Sequence, residues 1–221
     1  MKIKSIILFA VALCALSACG PSKEEKAEEM AANYLKGVLY HYDSYESLKT
    51  TVDSSFVSLS TDKDAIDLTI DMMKLFGLIQ KYSDNIEMAE SSMEIWSSGG
   101  CYSAYERGEY RRAQEDRDKN QQLLDKTRDR IQDQFSKIKN RQANLKDGAF
   151  DGWKVYHKFK SLNGAATIDL FGEYIFICDE EFNEKLAYTK EDYDALSKVM
   201  SIISTSEDLS EFAENVQGLI F

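Results

Sequence analysis

Proline and glycine are scarce in this chain: 221 residues hold one proline, Pro21, and eleven glycines. An all-β fold with many turns needs more of both, so little material exists for one. Histidine is nearly absent as well. Only His41 and His157 occur, and no Cys/His spacing matches a zinc site. A Gly-x-Ser-x-Gly elbow, a P-loop, a dinucleotide fingerprint and a His-Glu-x-x-His pair are all missing, which removes the chemistries those motifs announce. Positive charge is short: 27 Lys and Arg face 38 Asp and Glu, a net charge of −11. A surface of that sign repels nucleic acid and anionic lipid headgroups alike. No apolar run approaches the roughly 20 residues that a membrane-spanning helix needs.

The longest apolar run, Ile6 to Leu16, follows Lys2 and Lys4 and reads as the core of a signal peptide. It ends in Leu16-Ser17-Ala18-Cys19, which resembles a bacterial lipobox. That resemblance implies cleavage after residue 18 and acylation of Cys19, which becomes the N-terminus. The alternative is a plain signal peptide with a cysteine at the cut by chance. Two or more acyl chains make anchoring stable where one gives only marginal binding. Gly20 stands where an Asp would suggest inner-membrane retention. Ser22-Lys23-Glu24-Glu25 resembles the acidic export signal of surface lipoproteins of the Bacteroidota, and the same residues make a Ser-x-x-Glu helix cap. Of the four cysteines, Cys14 leaves with the signal peptide. Cys101 and Cys178 remain as a candidate disulfide, worth on the order of 4 kcal/mol in chain entropy, or as two unpaired thiols.

Beyond Ser22 the spacing is helical. Ala31, Tyr34, Val38, Tyr42, Tyr45, Leu48 and Val52 recur at steps of three and four, with a break allowed at Asp43-Ser44. The tyrosines among them, with Tyr40, read as core rather than as a carbohydrate platform. Thr61 is the expected cap of a second helix carrying Ile66, Ile70, Met73, Phe76 and Ile79. Ile86, Met93 and Trp96 either extend that helix or form a third, and Ser97-Ser98-Gly99-Gly100 closes the run. Ser103-x-x-Glu106 opens the longest helical segment, predicted to end at Asp147-Gly148. Leu124, Ile131, Ile138 and Leu145 lie seven apart, but Thr127, Gln134 and Arg141 interrupt the seam, so no self-standing coiled coil is expected. The segment either packs by one narrow stripe on its own domain or binds a partner. Tyr105, Tyr110, Arg111 and Arg112, in its solvated first half, are the candidate partner face.

At Trp153 the period changes to two: Trp153, Val155, His157 and Phe159 point one way and the lysines between them the other. Asn163-Gly164 signals a hairpin turn. Ala166 to Leu170 and Tyr174 to Cys178 form the return, with Gly172 a bulge or kink. A helix capped by Thr189 and another from near Ser206 follow. Leu219-Ile220-Phe221 is apolar enough to dock. His157, on the apolar face, reads as a satisfied core residue. Asp179 to Glu184 lacks the alternation and glycine of a calcium loop and reads as a solvated strand end. With 38 acids, carboxylate pairs arise by chance and identify no glycosidase. Gly152-Trp153, His157-Lys158-Phe159, Asn163-Gly164, Gly172-x-Tyr174-x-Phe176 and Asp179-x-x-Phe182 together resemble a pattern of small exported Bacteroidota proteins. The resemblance spans about 30 residues and implies no activity.

The expected fold is mainly α with a small β part (α+β): a helical bundle with one long helix, then a C-terminal antiparallel β-hairpin followed by helices. Its parts are a signal peptide (1–18), a lipid-anchored tether (19–27), a helical body (28–147), the hairpin (148–182) and C-terminal helices on the same domain (183–221). The expected function is that of a lipoprotein of the cell envelope. It is held in the outer membrane by its N-terminal lipid, with the surface-exposed leaflet one option. It uses no metal or cofactor and binds a protein partner without catalysis; the alternative is a hydrolase acting on an envelope or surface polymer.

Overall fold

The computed structural model describes residues 20–98, 103–146 and 148–220. Cys19, Cys101 and Phe221 therefore lie outside the described residues, and so do the side chains of Leu219 and Ile220. The described residues form a mixed α+β fold of five α-helices and one four-stranded antiparallel sheet. They divide into two compact units, Met1–Val57 with Asp147–Asp194, and Ser58–Lys146 with Ala195–Phe221.

The first unit opens with helix α1, Lys23–Lys36. Its start is built from the predicted capping box: Ser22 Oγ accepts from Glu25 N–H, and Glu25 accepts from Ser22 N–H at 2.7 Å. Gly37 ends it, and after a 3₁₀ turn at Tyr42–Ser44 the chain enters strand β1, Glu46–Phe56. This corrects the expected helical body over 28–147. The three-and-four spacing of Val38, Tyr42, Tyr45, Leu48 and Val52 fits a helix, but Thr50-Thr51-Val52 is β-branched, and such side chains suit a pleated surface better. Strand β2, Phe150–Leu162, pairs with β1 along its length and with β3, Asp169–Cys178, on its other side. Strand β4, Glu184–Thr189, completes the order β1-β2-β3-β4, so the expected hairpin is the middle of a larger sheet. Residues 183–221 accordingly begin with a strand rather than a helix.

Two details of the hairpin differ from expectation. The connection runs from Asn163 to Ile168 rather than turning in two residues. The Asn163 carboxamide oxygen accepts from Thr167 N–H, and Ala166 takes the positive φ of 54°. Gly172 makes no bulge. It sits in regular register opposite Phe159, whose ring would lie 2.4 Å from a Cβ there. On one face of the sheet α1 buries Ala27 and Ala31 against Val155, Phe176, Cys178 and Phe182.

The second unit is built on a helical hairpin, α2 (Lys63–Ser98) and α3 (Ala104–Asn144). Asp62, not Thr61, caps α2: its carboxylate accepts from Ala65 N–H and, from both oxygens, binds Arg141 at 2.9 and 2.8 Å. Burial alone would raise the Asp62 carboxyl, but Arg141 and the Ala65 N–H more than offset it and hold it below the usual range. Helix α2 runs unbroken to Ser98, so Ile86, Met93 and Trp96 extend it and form no third helix. Ser103 and Glu106 form the predicted capping box of α3, which stops at Asn144, short of Gly148. Gly148 instead takes φ +78° and donates to Val57 O. Helix α4, Lys190–Thr205, starts in the first unit, where Thr189 Oγ1 accepts from Asp192 N–H, and ends in the second. Helix α5, Leu209–Ile220, sets the wholly buried Phe212 against Phe76 and Phe135. Among the described residues no helix is long and apolar enough to cross a membrane.

Candidate functional site

The seam between α2 and α3 changes character along its length. Ile66, Met72, Leu75, Leu124, Ile131, Phe135 and Ile138 are all buried in the half that carries α5. Towards the other end, α2 presents Asn85, Met88, Ala89, Ser92 and Trp96, and α3 presents Glu109, Arg112, Ala113, Asp116 and Asn120. Both sets follow the increments three, four, seven and eleven, so each is one helix face, and in antiparallel helices the faces meet. Ala89 and Ala113, both buried, are too short to fill the space. The result is a groove of about 300 Å³.

The groove is polar and its bonding is incomplete. Asn85 Nδ2 donates to Asn120 Oδ1 at 3.1 Å, and Asn120 Nδ2 donates to Asp116 O at 2.8 Å. Ser92 Oγ donates to Met88 O. Glu109 is held by Arg112 Nη1 through both carboxylate oxygens, at 3.1 and 3.2 Å. Asp116 has no ion-pair partner among the described residues. The groove therefore offers a ligand carboxylate and amide acceptors, amide and hydroxyl groups and one guanidinium, with no histidine or cysteine among its lining residues.

The candidate partner face meets this groove through Arg112 and through the contact of Tyr105 with Trp96. Tyr105 is exposed and stands edge-on to Trp96 at 5.8 Å; Arg111 and Arg112 are exposed, and Tyr110 is half-buried. Of these four only Arg112 lines the groove. Sequence reading missed the remaining groove residues. The signal was there, as matching runs of small and polar side chains at helical spacing in two segments predicted to be helices.

The other gathering of titratable groups is closed. His157 is wholly buried, with Tyr45 Oη 2.8 Å from Nε2 and Thr50 Oγ1 3.0 Å from Nδ1. Burial pushes the Tyr45 phenol up to about 12. Burial also lowers the His157 pKa, which the Glu28 carboxylate partly opposes. A neutral imidazole with two hydroxyl partners is fully satisfied, so His157 is a structural residue. His41 Nε2 lies 3.1 Å from Gly164 O at the hairpin connection. Cys178 is wholly buried and carries a free thiol, pushed up to about 12 by burial and by the Glu184 and Asp179 carboxylates. Its candidate partner Cys101 lies outside the described residues. Asp179 accepts from Glu181 N–H, Asn183 N–H and Asn183 Nδ2, which makes a turn. Among the described residues no group of acids, histidines and cysteines is placed to hold a metal ion.

No protein-family model matches the chain, and neither a curated protein nor a solved structure shows significant similarity to it.

Proposed function

We propose that this chain is a lipid-anchored lipoprotein of the bacterial outer membrane that binds another envelope protein and catalyses no reaction. Recognition falls to the end of the α2–α3 hairpin that carries the groove. One observation supports this reading above the others. Met88, Ile95 and Tyr105 are the large apolar side chains of the second unit that stand exposed among the described residues, at 69, 64 and 66 %. All three lie in the polar half of the hairpin, beside Arg111 and Arg112. Aromatic, methionine and arginine side chains around a recess are the composition that protein interfaces favour. The cell-envelope address comes from Leu16-Ser17-Ala18-Cys19 and from Ser22 to Glu25.

A photo-crosslinking residue at Tyr105, introduced in native membranes, should yield one discrete protein adduct. The same residue at the exposed Asp129, in the other half of α3, should yield none. Equal labelling at both positions would remove the partner face. Binding on a glycan array without any protein adduct would favour a polymer-directed protein instead.

A further inference from the structure

At one end of the sheet, aromatic rings form a connected chain. Phe56 and Phe150 are paired across β1 and β2 with ring centres 6.4 Å apart, and Phe150 stands edge-on to Trp153 at 5.2 Å. Trp153 stacks flat on Phe182 at 5.8 Å. Two backbone devices hold this arrangement. Gly152 takes φ +113°, and a Cβ there would lie 2.1 Å from Cys178 O, so no other residue fits. Phe182 takes φ +68°, a conformation that bulky residues avoid, imposed by the turn that Asp179 ties. The indole N–H is already used, donating to Glu180 O at 3.1 Å. Phe56 and Phe150 nevertheless stay 51 and 43 % exposed.

The start of α1 lies on the same cluster. The Lys23 ammonium sits over the Trp153 ring, 3.7 Å from its centre. Cys19 precedes Lys23 by four residues, which span at most about 14 Å when fully extended. An acylated Cys19 has its chains in a bilayer, so Trp153 and its neighbours stay within a short tether's reach of the headgroup layer. Half-exposed aromatic rings beside a lysine are the side chains that settle at that interface. Glu24, Glu25, Asp151, Glu180 and Glu181 flank the cluster in sequence, with Lys23 and Lys185 opposing them, so the surface that suits it is uncharged overall.

We propose that Phe56, Phe150 and Trp153 seat this end of the sheet on a zwitterionic lipid surface, as a second attachment beside the Cys19 acyl chains. The seat rests on the lipid-anchor reading of Cys19. A short tether alone would let the protein swivel; an aromatic seat fixes which end of the first unit faces the membrane.

The test uses the full chain, purified with its lipid and reconstituted into phosphatidylcholine vesicles brominated near the top of the acyl chains. Trp96→Phe leaves Trp153 as the single indole. Flotation reads the anchor and quenching reads the seat. The expected result is flotation with loss of about half of the Trp153 emission, as suits rings at the headgroup boundary. Phe56→Ala with Phe150→Ala should restore most of the emission while the protein still floats. Should Trp96→Phe fail to fold, the wild-type chain against Trp153→Phe gives the same reading by difference. Flotation with unquenched Trp153, including the case where a second copy or another protein covers Phe56 and Phe150, overturns the seat alone. Failure to float overturns the anchor and the seat together.

Discussion

The cluster around His157 and the groove between α2 and α3 both gather polar side chains inside the fold, and they end differently. Around His157 every polar atom has a partner and no solvent reaches the ring. In the groove, bonds run mostly between neighbours on one helix, and the recess stays open to solvent. The first arrangement spends its hydrogen-bonding capacity on the fold, while the second leaves part of its capacity facing solvent. A histidine near a tyrosine is thus the weaker functional signal here, although such a pair is the first thing a search for catalysis finds.

Breaking the closed cluster should cost most. His157→Leu leaves the half-buried Tyr45 and Thr50 hydroxyls without their partner, an expected loss of about 2 kcal/mol in urea unfolding. An unchanged midpoint would mean that the cluster is not structural. A smaller effect is the pH dependence of the same residue. The folded pKa of His157 lies below its ordinary 6.5, so its contribution is complete above pH 6.5 and is lost as pH falls from there towards the folded value. Stability curves for the wild type and His157→Leu should therefore converge on acidification, and parallel curves would contradict the neutral buried ring. The smallest effect belongs to the groove. Arg112→Ala and Asp116→Ala should each shift stability by no more than about 0.5 kcal/mol, while Arg112→Ala abolishes the crosslink from Tyr105. A large destabilisation by either change would move the groove into the structural class.

What could be read in advance was local. Ser22 with Glu25, Ser103 with Glu106, and Thr189 each cap a helix as expected, because a cap closes within three residues. The alternation from Trp153 to Phe159 likewise announces its own strand. Strand β1 was missed because its apolar spacing fits a helix and its pairing partner lies about a hundred residues later, as Thr50 and His157 show. The groove was missed for a related reason. Small residues at helical spacing look like weak seam positions until a second helix brings its own small residues opposite them.

The residue order by itself determined the helix starts at Ser22, Ser103 and Thr189, the alternating strand and the lack of familiar catalytic motifs. These depend on neighbours a few residues apart, where spacing and side-chain type suffice. Tertiary structure decided the rest. It set β1 beside β2, laid Phe159 over Gly172, stacked Trp153 on Phe182 under Lys23, and opened a recess between Ala89 and Ala113. Each of those depends on close packing between groups distant in the chain, where a missing methyl or a single register position changes the outcome.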